Sequence, residues 1–335
     1  MFIDAHAHLD AESFTLPPEE ILRRAFEAGV DQLIVVGCGV ERSRNALALA
    51  QRHPGRLFAV VGVHPHDVAG MRDADLEAIA ALAREPEVVG VGETGLDYHY
   101  DHSPRDVQQE VFARHLELAR EVGKPVVIHT REAEEDTLSV LERVGRLPAG
   151  GQLHCFTSSR ELALRGVEEH GFHVSFSGVL TFANADPLRA ICAELPEERL
   201  LIETDCPYLT PAPFRGIKNE PALVSVVAGK MAELRGLEVA ELARRTSAHC
   251  RALFGLPPPP PSDLLAFASG RCLHLRVDHP EATAAQLLEA AGRWPEKKLR
   301  EVELLTLGGE ERAVLAEAAR GWAAARGLSL RPGEA

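Results

Sequence analysis

The sequence of 335 residues lacks the features that would place it in or beyond a membrane. It has no run of 18 apolar residues, the minimum for a helix that crosses a bilayer. The N-terminus has no basic stretch followed by a long apolar run, so no signal peptide is recognisable. These absences predict a cytoplasmic protein that does not contact a membrane.

Other absences narrow the chemistry. The six cysteines are scattered without a Cys-x-x-Cys pair, which argues against a disulfide framework and against a structural zinc cluster. No Gly-x-Gly-x-x-Gly motif opens a helix, so a dinucleotide fold is not favoured. Acidic residues outnumber basic residues by 50 to 36, and the net charge of −14 argues against binding nucleic acid through a basic surface alone. An acidic site that holds divalent cations is compatible with this balance.

Five consecutive prolines at 257–261 interrupt the chain. Such a run forms a stiff extended spacer that neither a helix nor a sheet can absorb. We therefore predict a domain at 1–256, a proline-rich linker at 257–262 and a small α/β module of unknown role at 263–335. The module is a candidate for self-association, and the sequence leaves the oligomeric state open.

Short apolar runs alternate with amphipathic helical stretches through residues 1–256. The runs are rich in Val, Ile and Leu, which is typical of parallel strands buried on both faces. Eight strand–helix units in this length predict a closed (β/α)8 TIM barrel, with an open doubly wound sheet as the alternative. The predicted strands are residues 2–6, 32–37, 57–63, 88–92, 125–129, 151–155, 172–176 and 200–204.

Residues that bind metals recur where these strands end. His6 and His8 close the first strand, and side chains two residues apart on a strand point to the same side. The fourth, fifth, sixth and eighth strands end in or next to Glu93, His129, His154 and Asp205 respectively. The carboxyl ends of barrel strands share one face of the fold, which is where active sites of such barrels lie. The six side chains are therefore predicted to converge.

Four imidazoles and two carboxylates are too many for one ion that keeps open positions. They suit two divalent ions in the pairing typical of hydrolases, which activate water as a nucleophile. Strands 1 and 8 become neighbours when a barrel closes, so His6, His8 and Asp205 are predicted to hold one ion. His129 and His154 are predicted to hold the other. Glu93 is the predicted bridging carboxylate, and Asp205 could also accept a proton from water.

The segments around these residues resemble the TatD family of metal-dependent deoxyribonucleases, within the amidohydrolase-like barrels. The resemblance covers residues 1–256 and implies hydrolysis of DNA phosphodiester bonds, as a 3′→5′ exonuclease on single strands or ends or as an endonuclease, in DNA repair or degradation. The matching segments are Asp4-Ala5-His6-Ala7-His8-Leu9-Asp10, Gly62-Val63-His64-Pro65-His66, Gly92-Glu93-Thr94-Gly95-Leu96-Asp97-Tyr98, Val127-Ile128-His129-Thr130-Arg131, His154-Cys155-Phe156, Glu203-Thr204-Asp205-Cys206-Pro207-Tyr208-Leu209, Arg215-Gly216 and Asn219-Glu220-Pro221.

The resemblance places His6, His8, Glu93, His129, His154 and Asp205 at the metal-ligand positions of the family. It suggests Mg²⁺ or Mn²⁺ for activity, although four imidazoles also suit Zn²⁺. The candidate substrate-binding residues are His64, His66, Tyr98, Arg131 and Arg215. Tyr98 could stack on a base, and Arg131 could grip a phosphate. The family usually has Gly-Lys-Arg where this chain has Gly216-Ile217-Lys218, which removes one positive charge from that loop.

Two alternatives stay open beside the nuclease. The first is an amidohydrolase or deacylase that cleaves a small amide or ester on the same barrel. Many such enzymes bridge their metals with a carboxylated lysine after the fourth strand, and residues 1–100 contain no lysine. The second is a metal-binding barrel without catalytic activity, against which the complete set of six ligands argues.

Overall fold

The computed structural model describes residues 1–9, 14–306 and 312–331. Asp10, the last residue of the first motif, lies outside the described residues. In the part of the chain that is described, no helix combines the length and the apolar character needed to cross a membrane.

Eight parallel strands form the main sheet in sequence order, as predicted. The backbone N–H of His8 donates to the carbonyl of Cys206 at 2.9 Å, and the N–H of Asp205 donates to the carbonyl of His6 at 3.0 Å. These bonds join the first strand to the segment after the eighth, which confirms a TIM barrel rather than an open sheet. The strands are β1 (Phe2–Ala7), β2 (Val30–Cys38), β3 (Leu57–Gly62), β4 (Val88–Asp97), β5 (Val126–Arg131), β6 (Gly151–Leu153), β7 (His173–Phe176) and β8 (Leu200–Ile202).

Helices surround the barrel, and its strands separate an apolar cluster inside the barrel from a larger one that the strands share with the helices. Residues such as Ile34, Val60 and Val127 form a cluster inside the barrel, joined by Cys250 and Phe254 from the last helix. That helix therefore packs against the amino ends of the strands, which leaves the carboxyl ends open for a site. The helices are α1 (Pro18–Glu27), α2 (Val40–Arg52), α3 (Asp73–Leu82), α4 (Arg105–Val122), α5 (Glu134–Val144), α6 (Arg160–Glu168), α7 (Asp186–Glu194), α8 (Val224–Arg235) and α9 (Val239–Phe254).

The fourth strand departs from the sequence-based expectation. It does not end at Gly92 but continues to Asp97, and its pairing with β5 shifts register between Val91 and Thr94. Glu93 therefore lies inside the strand, at the register break. Gly92 has φ 151, and a Cβ there would lie 2.5 Å from the carbonyl oxygen of Val127. Only glycine suits this conformation and this close approach.

The C-terminal region forms a second, four-stranded sheet. Its order is β12 (Ser329–Leu330), β11 (Glu301–Leu305), β10 (Cys272–Arg276) and β9 (Ala266–Ser269), with β9 antiparallel and the other pairs parallel. Two helices, α10 (Ala284–Gly292) and α11 (Ala313–Ala324), accompany it. This sheet-and-helix region fits the predicted α/β module, although β9 directly after the prolines was not predicted.

The C-terminal region packs against the barrel instead of standing apart from it. The rings of Phe2 and Phe267 meet edge to face at 5.3 Å, and those of Phe214 and Trp294 at 5.5 Å. The backbone N–H of Leu265 donates to the carbonyl of Glu27 at 2.7 Å. The two regions therefore share apolar packing, while the domain boundaries at 257–262 stay a prediction.

Candidate metal centre

His6 and His8 face one oxygen of Glu93 and also face Asp205, at the carboxyl ends of the strands. Glu93 Oε2 lies 3.4 Å from His6 Nε2 and 3.6 Å from His8 Nε2. Asp205 Oδ1 lies 3.4 Å from His8 Nε2 and 3.9 Å from His6 Nε2. The β1 histidines thus face a carboxylate that follows β8, as the closed barrel requires.

The other oxygen of Glu93 faces a second group of imidazoles. Glu93 Oε1 lies 2.8 Å from His154 Nε2, 3.0 Å from His129 Nδ1 and 3.3 Å from His64 Nε2. A single carboxylate therefore contacts both groups through its two oxygens. We call the whole arrangement the mouth cluster; it comprises His6, His8, His64, Glu93, His129, His154 and Asp205.

The chemistry of these donors suits divalent cations. His6 Nε2 and His8 Nε2 lie 3.2 Å apart, so two ring nitrogens are aimed at the same point. Within the described residues, the ion-pair partners of Glu93 and Asp205 are histidines, with no lysine or arginine among them. Buried charges need compensation. Imidazole nitrogens with carboxylate oxygens match the ligand preferences of Zn²⁺ and Mn²⁺.

Hydrogen bonds behind the histidines set their orientation. His8 Nδ1 lies 3.3 Å from the carbonyl of Val36, and His154 Nδ1 lies 3.2 Å from Glu203 Oε1. Each of these acceptors holds a proton on Nδ1 and leaves the lone pair of Nε2 directed into the mouth cluster. Such outer acceptors are typical of metal-binding histidines.

Unlike His8 and His154, His129 directs Nδ1 rather than Nε2 into the mouth cluster. Its Nδ1 faces Glu93, while its Nε2 lies 3.0 Å from Asp97 Oδ2, which also accepts from His66 Nε2 at 2.9 Å. Sequence reasoning missed the roles of Asp97 and Glu203 as acceptors behind the ligands. The available signal was their place in the same short motifs as Glu93 and Asp205.

Burial and mutual attraction shift the pKa values in the mouth cluster in opposite directions. Burial would raise the pKa of Glu93, but His154 and His64 hold it well below its ordinary value. Burial would lower the pKa of His154, but the charges of Glu93 and Glu203 raise it well above the ordinary value. In His6 burial prevails and lowers the pKa. The carboxylates are thus ionised at neutral pH.

The predicted substrate-binding residues have different neighbours in the structure. His64 lies inside the mouth cluster, and His66 lies behind it against Asp97. The Tyr98 hydroxyl donates to Asp136 Oδ2 at 2.7 Å. The guanidinium of Arg105 lies 4.2 Å from the centre of the Tyr98 ring, and base stacking by Tyr98 stays a prediction. The guanidinium groups of two further candidates lie over aromatic rings, Arg131 over Tyr100 at 4.8 Å and Arg215 over Phe182 at 4.4 Å.

Two exposed rings beside the mouth cluster were not singled out from the sequence. Tyr208 is 60% exposed, and its ring centre lies 6.3 Å from that of His8. Tyr100 is 50% exposed, and its ring centre lies 5.4 Å from that of His66. A third neighbour, Cys38, places its thiol 3.5 Å from Glu93 Oε2. Tyr208 belongs to the motif that contains Asp205, and Tyr100 follows shortly after the motif that contains Glu93, which was the only signal for them.

A TIM barrel with histidines and carboxylates gathered at its carboxyl end defines a class of metal-dependent hydrolases. Residues 3–255 match the family model described as TatD related DNase. The chain therefore belongs to this family, which confirms the resemblance inferred from the motifs.

Curated relatives agree with this assignment. The uncharacterized metal-dependent hydrolase YabD of Bacillus subtilis is 42% identical over 254 residues, which cover 76% of this chain and 99% of that protein. A 3′-5′ ssDNA/RNA exonuclease TatD of Escherichia fergusonii is 36% identical over 260 residues, 76% of this chain and 98% of that protein. The barrel accounts for these matches, so the C-terminal region has no counterpart in either relative.

Solved structures show the same fold. The crystal structure of YjjV, a TatD homologue from Escherichia coli K12, aligns with a TM-score of 0.71 and 34% identity, covering 76% of this chain and 98% of that one. A TatD family hydrolase from Entamoeba histolytica aligns with a TM-score of 0.66 at 21% identity, over 76% of this chain and 98% of that one. The second comparison supports the fold alone.

Proposed function

We propose that this protein hydrolyses phosphodiester bonds of DNA with two divalent cations, removing nucleotides from the 3′ ends of single strands. The observation that carries the proposal is the placement of Glu93, whose two oxygens contact two separate groups of imidazoles. A carboxylate in this position can bridge two cations. The relative named as a 3′-5′ ssDNA/RNA exonuclease supports a nucleic acid as substrate.

Each side chain has a part in this proposal. His6, His8 and Asp205 would hold one cation, His129 and His154 would hold the other, and Glu93 would contact both through its two oxygens. A pair of cations held there would supply polarisation of the scissile phosphate and activation of the attacking water. Asp205 is ionised at neutral pH, because His8 holds its pKa low against the effect of burial, and it is the proposed acceptor for a proton of water.

His64 acts as a hydrogen-bond donor and not as a ligand. The backbone N–H of His66 donates to His64 Nδ1 at 3.2 Å, so the proton of a neutral His64 sits on Nε2. Nε2 lies 3.3 Å from Glu93 Oε1, inside the mouth cluster. A donor in this position can stabilise the charge that develops on the phosphate or on the leaving oxygen.

Aromatic rings and a few cations bind the nucleic acid. Tyr208 lies beside His8 and is 60% exposed, so its ring can stack on bases, an interaction that tolerates every sequence, whereas the ring of Tyr100 carries the guanidinium of Arg131. Arg131 and Arg215 supply positive charge in a chain whose net charge is −14. Unpaired bases are required for stacking, which favours single strands and ends over intact duplex.

The test uses single-stranded DNA labelled at the 5′ end, with Mg²⁺ or Mn²⁺ and a chelator control. We expect a ladder of shortened labelled strands that disappears with chelator, whereas the same strand closed into a circle stays intact. Cleavage of the circle would instead establish endonuclease action. If DNA of every form stays intact while an N-acyl substrate is hydrolysed, the proposal is wrong and the protein is an amidohydrolase.

A parallel series with Mg²⁺, Mn²⁺ and Zn²⁺ on metal-stripped protein identifies the active ion.

Self-association through the C-terminal region stays a prediction, tested by light scattering of the full chain during gel filtration.

A further inference from the structure

A second group of metal-binding side chains lies in the C-terminal sheet, outside the part of the chain that the relatives share. Cys272 and His274 are two residues apart on β10 and therefore point to the same face. Glu303 pairs directly with His274 across the β10–β11 ladder. The ligand atoms of the three residues all lie within 4.8 Å of one another.

The arrangement is compact and largely buried. Cys272 is 6% exposed and His274 is 9% exposed, while Glu303 is half-buried at the edge. His274 Nδ1 lies 3.2 Å from Glu303 Oε2. Two bonds of about 2.1 Å that meet at one tetrahedral cation separate their donor atoms by about 3.4 Å, so the observed spacing suits two ligands of one ion.

One buried polar atom of this group, His274 Nε2, has no hydrogen-bond partner among the described residues. Cys272 is a free and buried cysteine. Ion pairing between His274 and Glu303 accounts for that pair of side chains but not for the buried thiol beside them.

We propose that Cys272, His274 and Glu303 bind one thiophilic divalent cation of the Zn²⁺ type, independently of the barrel. Thiolate, imidazole and carboxylate together select Zn²⁺ or Co²⁺ over Mg²⁺. On binding, the thiol proton is released to solvent, the thiolate and the carboxylate balance the two charges of the ion, and the imidazole binds as a neutral ligand. The cation joins β10 to β11.

The expectation of no structural zinc cluster rested on paired cysteines. A site made of one cysteine, one histidine and one glutamate on neighbouring strands escapes that criterion, because Glu303 is 31 positions from Cys272 along the chain and only the β10–β11 pairing brings them together.

The test compares full-length wild type with Cys272→Ser and Glu303→Gln after metal stripping and titration with Zn²⁺ and, separately, Co²⁺. We expect each variant to bind one equivalent of Zn²⁺ fewer than wild type and to lose the Co²⁺–thiolate absorption band. Cys192→Ser, at a buried cysteine of α7 outside the group, should keep both. Cys38→Ser should also keep the band, which separates this group from the mouth cluster.

Equal Zn²⁺ stoichiometry in wild type and both variants overturns the proposal, as does a Co²⁺–thiolate band that survives Cys272→Ser. Circular dichroism of each variant confirms that the chain is folded. Because Glu303 is only half-buried, Glu303→Gln still provides the test if Cys272→Ser fails to fold.

Discussion

Two histidines at the carboxyl end of the barrel respond to burial differently from a histidine at the amino end. At the carboxyl end, His8 and His154 lie among carboxylates, and their pKa values are raised although burial acts to lower them. At the amino end, a hollow of about 260 Å³ is lined by His170, His173 and two arginines, without a carboxylate. There burial prevails, and it lowers the pKa of His173 to about 4.

The difference shows that burial alone does not decide how a histidine titrates. Burial opposes the charged form at both ends, but only the carboxyl end has Glu93, Asp205 and Glu203 to offset it. The concentration of buried, opposed charges at one end is also what marks that end as functional. The predictions below test this difference with substitutions at the carboxyl end, at the amino end and at a buried histidine that belongs to neither.

The largest effect is expected from Glu93→Gln. Removing the shared carboxylate should abolish tight metal binding and lower the hydrolysis rate by several orders of magnitude, because both groups of imidazoles lose their common partner. Metal content by mass spectrometry and cleavage of single-stranded DNA measure these changes. Glu87→Gln, just before the amino end of the same strand, is the matched control and should leave both unchanged. Normal turnover by Glu93→Gln would refute the bridging role.

His115→Gln tests a histidine that has no carboxylate partner. His115 accepts from the Val63 N–H through Nε2 and lies 2.8 Å from the Val111 carbonyl through Nδ1. Burial lowers its pKa to about 4. Between pH 6.5 and 4 the unfolded chain therefore binds a proton that the folded chain does not. Stability falls as the pH falls through this window, by up to about 3 kcal/mol.

Urea unfolding at pH 7 and pH 4.5 checks this prediction. The loss of unfolding free energy between the two pH values should be smaller in His115→Gln than in wild type, whatever the stability of the variant at pH 7. An identical loss in both proteins would show that His115 does not carry this pH dependence.

Asp97→Asn should weaken the mouth cluster without dismantling it. Asp97 Oδ2 accepts from both His66 and His129, so the substitution disturbs the ring that faces Glu93. Outer acceptors of this kind typically contribute 10- to 100-fold in metal affinity or activity. Metal titration followed by the cleavage rate at saturating metal separates the two effects. Asp101→Asn, at an exposed ion pair with Arg105, is the control and should behave like wild type.

Tyr208→Leu is expected to have the smallest effect. Loss of one stacking ring costs about 1–3 kcal/mol of base binding, so KM for single-stranded DNA should rise about tenfold with little change in kcat. Tyr208→Phe keeps the ring and should restore the wild-type KM. Arg146→Gln in the amino-end hollow should leave both constants unchanged. An increase of KM in Arg146→Gln as large as that in Tyr208→Leu would place nucleic-acid binding at the wrong end of the barrel.

Local patterns were enough to predict much of the site. His6 and His8 share one side because of their two-residue spacing, and His129, His154 and Asp205 come at or just after predicted strands. The position of Glu93 was harder to predict from the sequence. The register shift between Val91 and Thr94 that brings Glu93 inward depends on pairing with β5. The hydrogen bond of Tyr98 was likewise not predictable, since Tyr98 follows β4 and its partner, Asp136, lies on α5.

The sequence by itself determined the eight-stranded barrel, the family and the six side chains that meet at its mouth, because strand periodicity and short motifs are local properties. Only the tertiary structure decided which oxygen of Glu93 faces which histidine, and that Asp97 and Glu203 stand behind the ligands. It also decided that Cys272 and Glu303 become neighbours. These contacts join residues far apart in the chain, and their distances depend on the closure and register of sheets, which no local pattern encodes.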